Sequence, residues 1–333
     1  MLVSVCVVAY NEEKLLPGLL ENIKSQEFNH SDMEVILVDS ASADNTKRIM
    51  TEFASEDTQF KRVAIYDNPQ RKQACGWNIA IKNAKGDAII RVDGHARIPN
   101  DFVKKNVECL NSGEYVCGGP RPNITLQNGK WKDMLLAVES SMFGSSIAPY
   151  RRKDEYRKYV KSIFHGAYRR EIFQLIGGFN EELGRTEDNE LHYRIRKAGY
   201  KICYDPLIIS FQYVRSSWKG MVKQKYGNGY WIGRTTGICM GCLSIYHFIP
   251  ITFVLTLFMG ILFGMTVSWL PLIGILSVYA VFGISAVLSA FKEKGKNYVF
   301  ILMPAIFLSL HISYGIGTIV GLMDMLIRKC RCK

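Results

Sequence analysis

Asp87-Ala88-Ile89-Ile90-Arg91-Val92-Asp93-Gly94-His95 decides how the rest of the chain is read. Ala88 to Val92 is a short apolar run of the kind that fills the interior of a parallel sheet. It stops abruptly at an acid, a glycine and a histidine. Gly94 permits a tight turn in which backbone comes close to a ligand. Asp93 and His95 offer a carboxylate oxygen and an imidazole nitrogen two residues apart. They stand at a strand's C-terminal end, where ligands bind in open α/β sheets. Such a pair can hold a divalent metal against a diphosphate. An ordinary solvent turn is the other reading of the same residues.

Upstream, the pattern alternates. Leu2 to Ala9 is a continuous β-rich run, and Glu12 to Gln26 carries Leu15, Leu16, Leu19, Leu20 and Ile23 at helical spacing, with acids at its front. Glu34 to Val38 predicts a second strand, closed by the polar run Asp39 to Thr46 with its several possible caps. Thr46 to Glu56 reads as helix and Arg62 to Tyr66 as strand. Asn68-Pro69 marks a turn, and Arg71 to Ala84 reads as a helix with a basic start. A β-α-β-α-β-α-β order implies an α/β fold with a parallel sheet flanked by helices, Rossmann-like in outline. Neither G-x-G-x-x-G nor G-x-x-x-x-G-K-[ST] occurs, which disfavours dinucleotide and P-loop enzymes. Instead Glu12, Asp39 and Asp93 follow strands one, two and four. Acids converging at one sheet edge are costly unless they meet donors or a cation.

Downstream, Asp101 to Cys117 predicts a helix and a strand that extend the sheet. Within residues 118 to 162, Arg151-Arg152-Lys153 and Arg157-Lys158 form a basic loop, either a solvated face or an anion-binding lid. Glu171 to Ile176 is a short helix stopped by Gly177-Gly178. Thr186 to Gly199 has acids in front, bases behind and a terminal glycine. The N-terminus of that helix should lower a carboxylate's pKa and keep it ready to accept a proton. Capping by Thr186, Glu187 and Asp188 is the simpler alternative.

The chain has 333 residues, a net charge of +12 and 48% hydrophobic residues, unevenly spread. No Asp, Glu, Lys or Arg occurs from Thr235 to Phe291 or from Tyr298 to Met323. A membrane helix needs roughly 20 apolar residues, so these runs predict spans at 240–266, 270–291 and 298–323. The last is either a full crossing or a re-entrant hairpin opened by Pro304, Gly315, Gly317 and Gly321. Residues 1–214 then form a soluble α/β domain and 235–333 the membrane domain. Between them, 215–234 carries Arg215, Lys219, Lys223, Lys225 and Arg234 with no acid, and Trp218, Met221, Val222 and Tyr226 at helical spacing. It suits an amphipathic helix in the membrane interface, with a helix packed on the sheet as rival. The basic loop Lys292-Glu293-Lys294-Gly295-Lys296 belongs in the cytoplasm. Met1 to Tyr10 has no signal-peptide pattern, so the soluble domain is expected in the cytoplasm. The nine cysteines form no zinc or disulfide framework, and no nucleic-acid-binding signature occurs.

With these residues in place the chain resembles glycosyltransferase family 2. Val7-Val8-Ala9-Tyr10-Asn11-Glu12 matches the family's opening strand and loop, and Val38 to Thr46 its V-D-x-x-S-x-D-x-T loop. Asp93-Gly94-His95 stands where the family has D-x-D, and Glu187-Asp188 where it has E-D. The closer likeness is to the membrane-bound succinoglycan-biosynthesis subgroup, through Gly76-Trp77-Asn78, Phe179 to Leu183, Tyr213 to Ser216 and Ser313 to Gly317. The Q-x-x-R-W motif of processive synthases is absent: Gln224 is followed by Lys225-Tyr226-Gly227-Asn228, with Trp231 further on. Single-sugar addition is expected rather than polymerisation.

The resemblance implies a GT-A fold and an inverting transfer from a nucleotide sugar, UDP-linked by expectation, to a hydroxyl of a lipid-linked saccharide in envelope or exopolysaccharide assembly. It assigns Ala9, Tyr10, Glu12, Asp39, Arg71 and Asp93 to the nucleotide. It assigns Asp93 and His95 to Mg²⁺ or Mn²⁺, and the general base to Asp188. Glu187, Arg215 and Gln224 fall to acceptor or support. It implies a multi-pass protein of the cell membrane. Two other functions fit the same residues: a polyprenyl-phosphate glycosyltransferase and a non-catalytic nucleotide-sugar-binding subunit.

Overall fold

The computed structural model describes residues 1–56, 59–144, 155–295 and 297–331. Val3–Ala9 (β1), Leu16–Lys24 (α1), Met33–Asp39 (β2), Thr46–Ser55 (α2), Arg62–Asp67 (β3), Gln73–Asn83 (α3) and Ala88–Asp93 (β4) alternate as the apolar runs predict. Strands β1, β2 and β4 are buried at every position, as strands covered on both faces must be. Successive side chains point to opposite faces. Val3, Val5 and Val7 therefore pack with Leu16, Leu19 and Ile23 of α1, while Cys6 and Val8 pack with Trp77 and Ala80 of α3. Helix α1 starts at Leu16 rather than Glu12, so the two acids precede it instead of lying in its first turn.

Ala96–Arg97 (β5), Phe102–Asn111 (α4), Val116–Gly118 (β6), Asn123–Ile124 (β7), Lys130–Ser140 (α5), Lys158–Tyr159 (β8), Gly166–Arg169 (β9), Arg170–Ile176 (α6), Glu187–Lys197 (α7), Cys203–Tyr204 (β10) and Phe211–Tyr213 (β11) follow. The main sheet runs β3-β2-β1-β4-β9-β6-β10-β8. Its first four strands are parallel, and β9 is inserted antiparallel between β4 and β6. The sheet is thus mainly parallel with an antiparallel insertion, and β9 brings residues 165–169 beside β4. Strand β11 pairs antiparallel with β5.

Two compact units emerge. One comprises Met1–Pro122 and Pro149–Tyr213, the other Asn123–Ala148 and Val214–Lys333. Residues 123–144 thus fall with the C-terminal helices, whereas the sequence reading groups them with residues 1–214. The second unit contains α5, Trp218–Cys239 (α8), Ile249–Thr266 (α9), Leu270–Lys294 (α10) and Met303–Arg331 (α11). Met134, Leu135 and Val138 of α5 share a core with Met221, Val287, Met303 and Phe307. Three stretches, Ile245–Thr266, Leu270–Lys294 and Tyr298–Cys330, are helical, long and apolar enough to cross a membrane. Met240–Cys242 and Ile245–Phe248 are short 3-10 turns, so the first apolar stretch begins at Ile245 rather than at residue 240. The re-entrant alternative for 298–323 does not stand: α11 is continuous from Met303 to Arg331. Arg151-Arg152-Lys153, Lys296, Cys332 and Lys333 lie outside the described residues.

Candidate active site

The loops leaving β1, β2 and β3 share an unusual backbone. Asn11, Ala41 and Arg71 have φ of 54°, 55° and 57°, a region that costs L-residues energy and collects at functional sites. Hydrogen bonds hold the first two loops together. Asn11 N–H donates to Ser42 Oγ (3.0 Å), and Ala43 N–H donates to Asn11 Oδ1 (2.8 Å). Glu12 N–H donates to Thr46 Oγ1 (2.7 Å), and Ser42 N–H donates to the Asp39 carboxylate (3.3 Å). Asp39 is buried at this turn, whereas Tyr10 presents an exposed ring beside it.

Sheet register sets the rest. Val8 stands beside Asp93 and Ala9 beside Asp39. Gly94 fits because β4's turn passes over β1: a Cβ there would come within 2.8 Å of Ala9 Cβ and 3.4 Å of Glu12 Cγ. The glycine thus serves contact between two strand ends. His95 emerges with Nδ1 3.1 Å from Glu12 Oε1 and Nε2 2.6 Å from Gln212 Nε2 of β11. The consistent tautomer has Nδ1–H donating to the carboxylate and Nε2 accepting from the amide. A carboxylate behind one imidazole nitrogen is the usual support for a metal at the other.

Asp93 is 3% exposed. Its Oδ1 lies 3.8 Å from Arg91 Nη2 and its Oδ2 3.9 Å from His165 Nε2, and Oδ1 has no hydrogen-bond partner among the described residues. Burial alone would raise its carboxyl. His165 and the Arg91 guanidinium outweigh burial and hold it well below the usual carboxylate range. His165 itself is pushed down to about 4, by burial first and despite Asp93, so it is neutral; its Nδ1 faces Ser210 Oγ at 3.0 Å. Arg91 lies against the rings of Trp77, Phe164 and Phe179 at 4.7, 5.6 and 5.4 Å.

The same guanidinium reaches the head of α7, with Nη2 3.5 Å from Glu187 Oε1. Glu187 and Asp188 are 3% and 8% exposed. Both carboxyls are raised. For Asp188 burial outweighs the pull of Arg91 and the hydrogen bond that Oδ1 accepts from Asn189 N–H (2.8 Å). For Glu187 burial and the neighbouring Asp188 outweigh Arg91. This reverses the sign that the helix N-terminus alone suggests, because desolvation of a buried carboxylate exceeds the dipole's help. Behind them His192 is fully satisfied by Ser162 Oγ and Tyr168 Oη, both at 2.8 Å, and fixes α7 to β9.

The fold therefore brings Ala9, Glu12, Asp39, Asp93 and His95 to one sheet edge, and a single arginine touches both Asp93 and Glu187. Arg71 is exposed in the loop before α3, while Arg215 and Gln224 lie in the second unit. Arg91, His165 and Gln212 escaped the sequence reading. Arg91 was visible as a charge inside an apolar strand; His165 and Gln212 depend on β9 and β11 returning to β4 and β5, which no local pattern announces.

Among the described residues no three His, Cys, Asp or Glu side chains are placed to hold a metal by themselves. Asp93 and His95 nevertheless suit a cation shared with phosphates. Asp93 offers an ionised oxygen, whereas His95 Nε2 accepts from Gln212 and would have to exchange that amide for the cation. Magnesium on a nucleotide commonly takes only one or two protein ligands.

The profile of Glycosyl transferase family 2 matches residues 4–177. The chain belongs to this family. It is 25% identical over 272 residues to a dolichyl N-acetyl-alpha-D-glucosaminyl phosphate 3-beta-D-2,3-diacetamido-2,3-dideoxy-beta-D-glucuronosyltransferase of Methanococcus voltae, covering 80% of this chain and 83% of that protein. It is 26% identical over 230 residues to the succinoglycan biosynthesis protein ExoA of Rhizobium meliloti, covering 68% and 67%. The mannosyltransferase PcManGT of Pyrobaculum calidifontis, solved with GDP-Man and Mn²⁺, superposes with a TM-score of 0.60 at 18% identity, over 95% of this chain and 86% of that one. The likeness shows the GT-A fold. The chain is a membrane glycosyltransferase with a GT-A domain.

Proposed function

We propose that the enzyme moves a sugar, with inversion, from a nucleoside-diphosphate sugar to a hydroxyl of a lipid-linked saccharide in envelope or exopolysaccharide assembly. The observation that carries this reading is the placement of two buried carboxyls: Asp93 at the end of β4 beside Arg91 and His165, and Asp188 at the head of α7. Asp93 stays negative, as a group facing a cation or ribose must. Burial raises the Asp188 carboxyl, which makes its ionised form a better proton acceptor. The relatives' lipid-phosphate and succinoglycan roles support the acceptor class.

In this reading Tyr10 stacks on the base, Glu12 and Asp39 serve base or ribose, and Arg71 lies near the nucleotide. Asp93 and His95 hold Mg²⁺ or Mn²⁺. When bound, the cation neutralises charge developing on the leaving diphosphate. Asp188 takes the proton of the acceptor hydroxyl as its oxygen bonds to the anomeric carbon. The bond from that carbon to the diphosphate oxygen breaks on the opposite face. Glu12 orients the His95 ring, and Arg91 supports Asp93 and Glu187 together. Membrane helices keep the catalytic domain, on the cytoplasmic side, beside its lipid-borne acceptor.

A screen of UDP-, GDP- and dTDP-sugars for donor hydrolysis, with Mg²⁺, Mn²⁺ or chelator, tests this. Turnover of one donor class, lost in chelator, is expected. Full turnover in chelator would contradict the role given to Asp93 and His95. Binding of a donor with no turnover under any condition would favour a non-catalytic subunit.

A further inference from the structure

Helices α8 and α11 lie side by side and run in the same direction. Trp218 Nε1–H donates to Ser309 Oγ (2.8 Å), and Ser313 Oγ–H donates to Val222 O (2.9 Å). Further along, Gly317 faces Tyr226 O and Gly321 faces Tyr230 O. Tyr230 Oη–H donates to Asp324 (2.8 Å), and Arg234 Nε lies 3.2 Å from the same carboxylate. Each step along one helix is matched by an equal step along the other. The glycines make this closeness possible. A Cβ on Gly229 or Gly233 of α8, or on Gly317 or Gly321 of α11, would fall 2.0–2.4 Å from a backbone oxygen of the partner helix.

Helices α9 and α10 are built differently. They meet α11 through Pro250 and Val254 against Gly315, Gly283 against Pro304, and Tyr279 Oη 2.9 Å from His311 Nδ1. Towards their connection they meet each other, Gly260 on Leu272 and Gly264 on Trp269. There Phe258, Met259, Met265, Leu270, Ile273 and Val278 are exposed.

Direction and charge then decide which helices cross. If α8, α9 and α10 each crossed a bilayer, α11 would start on the far side and run antiparallel to α8. It runs parallel. Nor does α8 suit hydrocarbon: it carries Lys219, Lys223, Lys225 and Arg234. Lys225 is spent on Glu139 of α5 (2.9 Å) within the unit's own core. Helix α11 is bound along this charged helix from Ser309 to Asp324. Its remaining ends, Met303–Leu308 and Met325–Arg331, are far shorter than the roughly 20 residues a crossing needs. Apolar composition alone therefore misleads for α11, whose glycine face is matched to a helix and not to lipid.

We infer that α9 and α10 form a two-crossing membrane hairpin, and that α11 does not cross but is held with α8 at the bilayer surface. Trp218 and Tyr226, with Lys219 and Lys223, are exposed on α8 and suit headgroups, as do Arg328 and Lys329 on α11. Both chain termini then lie on one face, since among the described residues no earlier helix is long and apolar enough to cross. The basic C-terminus joins the basic Lys292–Lys294 turn on the side that the positive-inside rule favours. This inference is independent of the chemistry proposed above.

The test uses the full chain in sealed vesicles treated with a membrane-impermeant protease. Epitopes are placed at the N-terminus, at the C-terminus, or between Ser268 and Trp269. The two terminal epitopes should be cut from the same face and the loop epitope only from the other. Termini on opposite faces would mean that α11 crosses and would overturn the inference. A loop epitope on the same face as the termini would overturn the hairpin. Ser268→Cys, labelled by an impermeant maleimide above the level of the unchanged chain, reads the same loop without an insertion.

Discussion

The end of β4 and the head of α7 place buried carboxyls around one arginine and drive them in opposite directions. Asp93 is almost fully buried, which should raise its carboxyl, yet Arg91 and His165 hold it low. Asp188 also feels Arg91, but burial outweighs that pull and the hydrogen bond from Asn189 N–H, and its carboxyl rises. The difference separates a fixed charge from a group that can gain and lose a proton. Titratable pairs pushed apart in this way mark where binding and proton transfer are divided between residues. Stability should follow the same opposition. Asp93 contributes stability that is present above the ordinary carboxylate pKa and lost as pH falls towards its folded value. The raised pair at Glu187 and Asp188 contributes below the ordinary range and loses that contribution as pH climbs through the folded values.

Removing the shared cation breaks the comparison most severely. Arg91→Met leaves Asp93 and Glu187 buried without their counter-charge. It should cost about 3–5 kcal/mol in chemical denaturation, the usual result of stripping one partner from a buried ion pair. Asp93→Asn removes only the fixed charge. Nucleotide-sugar affinity and turnover should fall on the order of 100-fold, read by calorimetry and steady-state kinetics, since one preorganised charged contact is typically worth that much. Gly94→Ala tests the packing that brings the two strand ends together. Its methyl group would crowd Ala9, and a loss of about 1–3 kcal/mol is expected from thermal or chemical unfolding. The gentlest probe is pH: the acidic limb of kcat/KM should lie above the ordinary carboxylate range, because Asp188 must ionise against its burial.

Much of this was legible in the sequence, because strand ends announce themselves. Apolar runs closed by Glu12, Asp39 and Asp93 located one sheet edge, and acids before bases located α7. The sign of Asp188's shift was not legible. Helix position is local, but burial depends on Arg91, Tyr168 and the strands packed around them. Gln212 was hidden for a similar reason, since it meets His95 only through the pairing of β11 with β5. The same limit governed the C-terminal helices. Gly315, Gly317 and Gly321 suggested a broken span, yet each is a point where another helix comes close. Residues 118–162 were least readable; within them α5 takes its partners from helices far along the chain.

The most direct test is Asp188→Asn, assayed on the same protein for donor binding and for transfer to a hydroxyl acceptor. Donor affinity should match the unchanged enzyme, while kcat falls by about 10²–10⁴, the usual contribution of a positioned base. Undiminished transfer would contradict Asp188 as the base and point to an acceptor, such as a lipid phosphate, that needs none.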